Sequence, residues 1–258
     1  YLQFHNHMTD SIRTILHSYT PIGLSEMDRV KLMNRIDTKF MLSRRQLEKL
    51  LISILPSYDC LEVEEERNSR YQTLYFDTPQ FGYYLEHQNG KRHRYKIRER
   101  EYMESHLSFL EVKEKSNKGR TEKSRIKLNE ILPELSESSK VFIASKANQS
   151  DVMEPKLWNS FRRITLVDKG AKERVTIDTE IAFYFGEFHA ALDDLAIVEV
   201  KQSEMNRHSP VISYLKRNLI REDGISKYCL GVAMLYPHIK SNTFKEKLLR
   251  IKKIVRND

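Results

Sequence analysis

The chain has 258 residues, of which 40% are hydrophobic and 31% are charged, and its formal net charge is +8 at pH 7. This length and apolar fraction suffice for one large domain, and the positive charge favours an anionic partner: nucleic acid, an anionic membrane surface or a phosphate-rich small molecule. Two cysteines do not make a disulfide framework, no signal peptide is evident, and no apolar run approaches the ~18 residues of a membrane span, so we expect a cytoplasmic protein without a transmembrane segment.

The predicted elements begin with helices and one strand. In chain order they are two helices, a strand and a helix, at 12–19, 24–33, 35–42 and 44–55. Ser43 is a suitable N-cap for the third helix, and Pro56 stops it. Alternation then predicts consecutive strands at 70–76, 92–102, 108–115 and 122–128.

The second half of the chain repeats this succession. A mixed stretch, predicted to be largely helical, covers 132–159. Strand character returns at 160–168, 172–178, 181–186 and 195–202, and helices are predicted at 210–220, 227–236 and 243–256. Many sequential strands with helices at the ends and between them predict an α+β fold built on an antiparallel barrel, not a βαβ sheet.

We expect one domain over residues 8–258, because no repeat, low-complexity tract or Pro/Gly-rich linker divides the chain. Residues 1–7 precede the first methionine, Met8, and are expected to be an expression-vector remnant. His5 and His7 are therefore not considered as metal ligands.

The predicted strands carry basic residues on one face. Side chains two positions apart on a strand share a face. The sets are Arg35, Asp37 and Lys39; Arg94, Lys96, Arg98 and Arg100; Glu111, Lys113 and Lys115; Lys123 and Arg125; and Glu199 and Lys201. On a single strand this pattern is typical of a solvated outer face. Its repetition favours a shared lumen, because like charges on neighbouring strands repel unless an anion lies between them.

Two further places carry candidate phosphate ligands. Arg163 and Arg174 lie on successive predicted strands, and Ser226 and Lys227 open a helix just after Gly224. Helix N-termini bind phosphate well, although a plain N-cap role also accounts for the serine. The chain has no glycine-rich phosphate motif, so side chains would have to hold the anion.

Three carboxylates lie within the cationic faces: Asp37, Glu111 and Glu199. They are either charge-balancing partners of the cations or ligands of a hard cation, because Mg²⁺ and Mn²⁺ bridge carboxylate and phosphate oxygens. Arginine would hold phosphate oxygens with two donors, and lysine would act as a point charge.

These stretches resemble the VTC (vacuolar transporter chaperone) domain, the polyphosphate polymerase branch of the triphosphate tunnel metalloenzyme superfamily. They occur in the family's order over about positions 35–230. The stretches are RIDTKF (35–40), TLYFDT (73–78), RYKIRER (94–100), FLEVKEK (109–115), KSR (123–125), SFRR (160–163), ERVTID (173–178), IVEVK (197–201) and SKY (226–228).

The resemblance implies an antiparallel eight-stranded β-barrel tunnel with flanking helices. It also implies ATP-driven phosphate polymerisation with Mn²⁺ or Mg²⁺. It suggests catalytic phosphate contacts for Lys39, Arg98, Arg100, Lys113, Arg163, Arg174 and Lys227. It suggests metal binding by Glu199, with Glu111 and Asp37 as further candidates. It suggests substrate contacts for Lys96, Lys123, Arg125, Lys201 and Ser226.

The sequence departs from the family's pattern at three positions. Asp37 stands where the family often has Glu, and Phe161 stands where Tyr is common. Glu99 lies between two arginines, where a small or apolar residue is usual, and alternation predicts that it points out of the tunnel.

Three other functions remain open. A triphosphatase or polyphosphatase would use the same tunnel with water as the attacking group, although Arg35-x-Asp37-x-Lys39 replaces the Glu-x-Glu-x-Lys strand usual in the superfamily's hydrolases. A non-catalytic module could bind polyphosphate or nucleic acid, but Tyr95 alternates away from the basic face, so we expect no specific nucleic acid.

The third alternative is attachment to a membrane surface. Residues 243–256 form a basic helix with an apolar stripe of Phe244, Leu248, Ile251 and Val255. Such a helix lies on anionic lipid or packs against its own domain. A membrane partner and the oligomeric state are left undetermined.

Overall fold

The computed structural model describes residues 10–27, 36–117, 120–147, 152–170, 172–204, 206 and 208–256. The strands are β1 Thr20–Ile22, β2 Ile36–Ser43, β3 Tyr58–Leu61, β4 Ser69–Asp77, β5 Arg94–Tyr102, β6 Leu107–Lys115, β7 Thr121–Leu128, β8 Glu154–Asp168, β9 Glu173–Phe185, β10 Phe188–Leu192 and β11 Leu195–Gln202. The helices are α1 Asp10–His17, α2 Leu24–Met27, α3 Arg44–Ile54, α4 Gly82–Gln88, α5 Glu137–Ala147, α6 Pro210–Arg217, α7 Lys227–Leu235 and α8 Asn242–Arg256.

Eight strands form one antiparallel path in the order β2-β11-β9-β8-β4-β5-β6-β7. The short strands lie off this path: β10 pairs with β9, and β3 pairs with β8 and, in parallel, with β1. No pairing joins β7 to β2 in the described residues, so backbone hydrogen bonds do not close the path between these two strands. The predicted α+β fold and eight-stranded antiparallel tunnel are confirmed.

Helices α1, α3 and α6 cover the outer face of one half of the sheet. The apolar residues of α3 recur at helical spacing, and Leu47, Leu50, Leu51 and Ile54 are all buried. They pack against outward-facing residues of β2, β8, β9 and β11, such as Val198. The predicted cap is present, because the Ser43 side chain and Gln46 form a reciprocal capping box.

A second apolar layer covers the outer face of the other half. Leu74, Ile97 and Leu110, from β4, β5 and β6, pack with Ile143 of α5 and with Leu135 from the segment before it. Outward-facing residues are therefore buried on both halves of the sheet. The strands cannot slip by one residue without moving these side chains into the polar lumen.

Helices α7 and α8 pack against inward-facing apolar residues at one end of the tunnel. Met41, Leu157, Ile197 and Phe183 lie in one cluster with residues of both helices. At Gly231 of α7 an added Cβ would come within 2.7 Å of the Phe183 ring, so this close approach requires glycine. The remaining lumen face is polar.

Several predicted boundaries are wrong. Strand β8 begins at Glu154, inside the stretch predicted to be helical, and the helix there is only α5. The strands predicted at 172–178 and 181–186 are one strand, β9, with an irregularity near Glu180, where φ is +49°. Strands β1, β3 and β10 and helix α4 were not predicted, and 28–33 of the second predicted helix lie outside the described residues.

Candidate functional site

The strand register brings predicted site residues face to face across neighbouring strands. Lys39 on β2 lies opposite Glu199 on β11, and Arg98 on β5 lies opposite Glu111 on β6. Lys201 lies opposite both Arg174 and Asp37, and Lys113 lies opposite both Lys96 and Lys123. These side chains therefore share the inner face of the sheet.

Strands far apart in the sheet also interact across the lumen. Lys113 on β6 lies close enough to Lys39 on β2 and Glu199 on β11 for their charges to shift its pKa, although these strands are not neighbours. Lys96 on β5 donates from Nζ to the Ser226 hydroxyl at the start of α7, at 2.9 Å. The sheet is thus curled around a common space, the tunnel lumen.

Glu199 is held between two ammonium groups. One carboxylate oxygen pairs with Lys39, and the other lies 2.5 Å from Lys201 Nζ. Lys201 also donates to the Thr176 hydroxyl at 2.7 Å. Burial alone would raise the pKa of Glu199, but Lys201 and Lys39 hold that pKa well below its ordinary value. This carboxylate is therefore ionised at neutral pH.

Glu111 is the centre of a second cluster. The Arg98 guanidinium lies 2.7 Å from one carboxylate oxygen, and Lys123 pairs with the other. The Glu111 side chain is only 1% exposed. Burial opposes ionisation, but Arg98 and then Lys123 outweigh it and lower the pKa of Glu111.

A third cluster contains a carboxylate that sequence analysis missed. Asp178 on β9 accepts two hydrogen bonds from the Arg163 guanidinium, at 2.5 and 2.8 Å, and pairs with Lys227 of α7. The pKa of Asp178 is lowered, because these two cations outweigh the effect of burial. The available signal was alternation, since Asp178 shares the strand parity of Arg174 and Thr176.

Arg100 is buried without a carboxylate partner in the described part of the chain. It is 4% exposed, and its Nε donates to the Thr73 hydroxyl at 3.1 Å. Its guanidinium lies over the rings of Tyr71 and Phe161, 5.6 and 5.3 Å from their centroids. Burial, Arg98 and Arg163 lower the pKa of Arg100, which nevertheless stays charged.

The same two rings hold further cations. Arg163 lies 5.0 Å from the Tyr71 centroid and 5.2 Å from that of Phe161, and Lys227 Nζ lies 4.4 Å from the latter. The rings stack on each other with their centroids 5.1 Å apart. Sequence analysis assigned no role to Tyr71 or Thr73, because neither stands out by charge.

Five lumen lysines have a pKa lowered to about 8: Lys96, Lys113, Lys123, Lys201 and Lys227. Enclosure by the surrounding protein is the largest cause in each case. Neighbouring cations lower these values further, whereas Glu111, Glu199 and Asp178 oppose the shift at Lys123, Lys201 and Lys227 respectively. In the described residues the lumen cations outnumber the carboxylates that pair with them.

Several predicted residues are open to solvent, and among the lumen lysines these are Lys113 and Lys123. Asp37 is exposed close to the start of β2, and Arg174 is half-buried. Arg125 on the outermost strand β7 is exposed, with its guanidinium 4.6 Å from the Phe109 centroid. Ser226 is 8% exposed and accepts from the Cys229 backbone N–H, so it is an N-cap that also contacts Lys96.

Glu99 faces away from the lumen, as alternation predicts, but it is buried. It is 3% exposed, its strand partners are Leu74 and Leu110, and it accepts from the Leu132 backbone N–H at 3.3 Å. Burial raises the pKa of Glu99 to about 7, against a weaker opposing effect of that hydrogen bond.

The carboxylates do not form a cluster of protein ligands for a metal. In the residues described, no three His, Cys, Asp or Glu side chains are gathered around one point, and Asp37, Glu111 and Glu199 do not form such a group. An ion that shares its coordination with phosphate oxygens needs only one or two protein carboxylates. The separated lumen carboxylates fit an ion of that kind and not one held by protein ligands alone.

The apolar stripe of α8 is used within the domain. Phe244 and Ile251 are 5% and 2% exposed, and Leu248 and Val255 pack against the same cluster. This packing favours the domain over lipid as the partner of the stripe. None of the helices described has the length and apolar composition needed to cross a lipid bilayer.

A mostly antiparallel sheet that is curled around lysine and arginine side chains defines a cationic tunnel protein. The chain belongs to the VTC domain family, whose model matches residues 34–236. No curated protein matches the chain.

Three solved structures are similar to the chain over most of their length, at low sequence identity. HpAC1 from Hippeastrum, described as an adenylyl cyclase candidate with a dominant triphosphatase activity, is 16% identical, with a TM-score of 0.48 over 77% of this chain and 95% of its own. A conserved hypothetical protein from Pyrococcus furiosus is 10% identical, with a TM-score of 0.41 and coverage of 75% and 96%. PH1012 from Pyrococcus horikoshii OT3 is 11% identical, with a TM-score of 0.41 and coverage of 75% and 94%.

Proposed function

We propose that the chain is a polyphosphate polymerase, which transfers the γ-phosphoryl group of ATP to a growing polyphosphate chain inside the tunnel. The observation that carries this proposal is the convergence of cations on one lumen. They come from seven strands of the sheet and from α7, and in the described part of the chain they outnumber the carboxylates Glu111, Asp178 and Glu199 that pair with them. Membership of the VTC domain family supports it.

Each type of cation has a distinct task in this proposal. Arg98, Arg100 and Arg163 present planar guanidinium groups that suit two phosphate oxygens at once. Lys113 and the other lumen lysines supply point charges along the anion. The aromatic rings and carboxylates that contact these cations hold them in position before the anion binds, so less ordering is needed at the moment of binding.

The reaction needs no covalent enzyme intermediate. An oxygen of the terminal phosphate of the polymer attacks the γ-phosphorus, a new P–O bond forms, and the bond to the β–γ bridging oxygen breaks to release ADP. Positioning and electrostatic stabilisation of the transferred group supply the catalysis. A divalent cation, Mn²⁺ or Mg²⁺, held by Glu199 and phosphate oxygens would supply further positive charge.

A product assay tests this proposal. The pure protein is incubated with ATP and Mn²⁺, with and without a short polyphosphate primer, and the products are resolved on a urea gel. We expect a ladder of phosphate polymer together with ADP. Free phosphate without polymer would identify a triphosphatase or polyphosphatase instead.

A cytoplasmic location remains part of the proposal, since both cysteine thiols are buried and unbridged.

A non-catalytic polyphosphate-binding module is the second candidate. It is favoured by one observation: within the described ranges the lumen carboxylates are separated, and each is already paired with two cations. Such a lumen can hold an anion without turning it over. A rise in melting temperature with tripolyphosphate, in the absence of any product from ATP, would support this function.

A further inference from the structure

Two residues within the family's motifs have no part in the proposed chemistry. Asp77 ends β4 in the stretch TLYFDT, and Tyr228 ends the stretch SKY at the start of α7. The two residues are 151 positions apart, yet the Tyr228 hydroxyl donates to Asp77 Oδ2 at 2.5 Å. Both are buried: Tyr228 is 3% exposed and Asp77 is 0% exposed.

The Asp77 carboxylate is itself rigidly held. Its Oδ1 accepts from the backbone N–H groups of Thr78 and Tyr83, at 2.7 and 2.9 Å, and its Oδ2 accepts from that of Tyr84, also at 2.9 Å. These donors belong to the turn between β4 and α4 and to the first residues of α4. The oxygen that receives the Tyr228 hydroxyl is therefore a fixed point attached to the sheet.

Tyr228 is also fixed from its sides. Its ring lies 5.0 Å from that of Tyr75 on β4 and 6.4 Å, edge-on, from that of Tyr84 on α4. Immediately before it in the chain, Ser226 contacts Lys96, and Lys227 pairs with Asp178. The first turn of α7 thus has one side chain anchored outside the polar lumen and two side chains within it.

We infer that Asp77 and Tyr228 are positioning residues, whose hydrogen bond fixes the first turn of α7 so that Lys227 and Ser226 face the anion. This inference rests on the proposed function, because it needs an anion in the lumen. Without the tyrosine hydroxyl, the buried carboxylate loses one of the four donors named above, and the start of α7 loses its hydrogen bond to Asp77.

A double-mutant cycle tests the inference. Tripolyphosphate affinity is measured by isothermal titration calorimetry, without metal, for wild type, Tyr228→Phe, Lys227→Met and the double variant. Tyr228→Phe should lower the affinity by about tenfold, in keeping with a lost hydrogen bond to a charged group. In the Lys227→Met background the same change should cost less than about twofold, because the side chain that it positions is gone.

The matched control pairs Tyr228→Phe with Lys123→Met. Lys123 is also a lumen lysine with a carboxylate partner, but it lies on β7, away from α7. Here the two losses should multiply, since the sites are independent. If Tyr228→Phe has no effect, or lowers the affinity by one common factor in every background, the residue has only a general structural role and the inference is wrong.

Two further measurements keep the outcome unambiguous. Circular dichroism and thermal melting establish that each variant is folded. If Tyr228→Phe does not fold, Asp77→Asn takes its place in the cycle and should show the same coupling to Lys227. Asparagine keeps the side-chain volume, but its amide N–H2 replaces an oxygen that accepts two of the four hydrogen bonds, so it disrupts either the contact with the Tyr228 hydroxyl or the backbone turn that fixes this contact. Failure of wild type to bind tripolyphosphate would refute the proposed function first, whatever the variants do.

Discussion

Glu199 and Lys113 have different roles in the same lumen, and a single substitution can remove each role. Glu199→Ala takes away the proposed metal ligand and leaves Lys39 and Lys201 without their shared carboxylate. Lys113→Ala removes a charge that faces the lumen. We expect each change to abolish polymer formation in the gel assay.

The matched control for these variants is Glu137→Ala. Glu137 is an exposed carboxylate at the start of α5, and it pairs with Lys140 alone in the structure described. Its removal should leave turnover unchanged, because surface ion pairs contribute little. Normal activity in both lumen variants would contradict the site assignment.

Glu99 should make the protein less stable as the pH rises through 7. Its pKa of about 7 lies above the ordinary value of a glutamate, so the folded state binds the proton more tightly than the unfolded state. The stability that this proton contributes is complete below the ordinary pKa and lost as the pH passes 7. From pH 5 to pH 8, the free energy of unfolding of Glu99→Gln should therefore rise by about 2 kcal/mol relative to that of wild type.

Urea unfolding at both pH values measures this difference. Glu101→Gln, on the same strand and half-buried, is the control and should show no such gain. Equal pH dependence in wild type and Glu99→Gln would mean that the buried carboxylate is already solvated or paired.

At the residue scale, alternation predicts which side chains share the lumen face but not which of them touch. The face shared by Lys96, Arg98 and Arg100 needs only the period of two in a strand. The contact of Arg163 with Asp178 depends on the register between β8 and β9, which shifts between Ser160 and Arg162 and has an irregular backbone at Glu180. The burial of Glu99 depends on a distant segment that covers β5.

At the scale of elements, the packing of α7 against the sheet depends on a glycine. An added Cβ at Gly231 would lie 2.7 Å from a Phe183 ring atom and 3.0 Å from a Leu157 methyl. Gly231→Ala should cost about 1–2 kcal/mol of unfolding free energy, because overpacking outweighs the gain in helix propensity.

Gly224→Ala is the matched control. An added Cβ there meets nothing within 4 Å, so its effect should stay within about 0.5 kcal/mol. Chemical denaturation of both variants measures the difference. A stability of Gly231→Ala equal to wild type would show that Phe183 and Leu157 give way without cost.

The elements that sequence analysis missed have a common physical reason. The start of β8 at 154–159 lies in the mixed stretch that was predicted to be helical, and it contains Pro155. This proline lies where the register between β4 and β8 shifts, and proline is tolerated at such irregularities. Strands β1, β3 and β10 have only three to five residues each, too few to show a period. Long strands with a repeated charge pattern were predictable.

At the scale of the whole molecule, the cationic lumen opposes folding when no anion is present. Lys96 has a pKa of about 8, below the ordinary pKa of a lysine. Between pH 8 and that ordinary pKa, folding therefore releases the proton of Lys96. Stability linked to this group therefore rises with pH over the window. From pH 7 to pH 9, the free energy of unfolding of wild type should rise by about 1 kcal/mol more than that of Lys96→Met.

Denaturation in phosphate-free buffer measures this gain, and Lys240→Met, a surface change near α8, should follow wild type. A smaller gain in wild type than in Lys96→Met would contradict the low pKa. The sequence could predict an anion-binding tunnel from its repeated charges, but not this penalty. It arises mainly because the fold buries the Lys96 ammonium group, and the nearby cations Arg94, Lys39 and Arg98 add to it.

The lumen lysines also connect occupancy of the tunnel to the acidity of its surroundings. Near pH 8 about half of each such lysine population carries no charge. A polyanion that enters draws hydrogen ions from the buffer to recharge them, and its departure returns those ions to the solvent. Binding of the polyanion thus increases the number of protons that the lumen lysines hold. Calorimetric heats should accordingly differ between buffers of unequal ionisation enthalpy, and each cycle of loading and release should leave a transient pH signal.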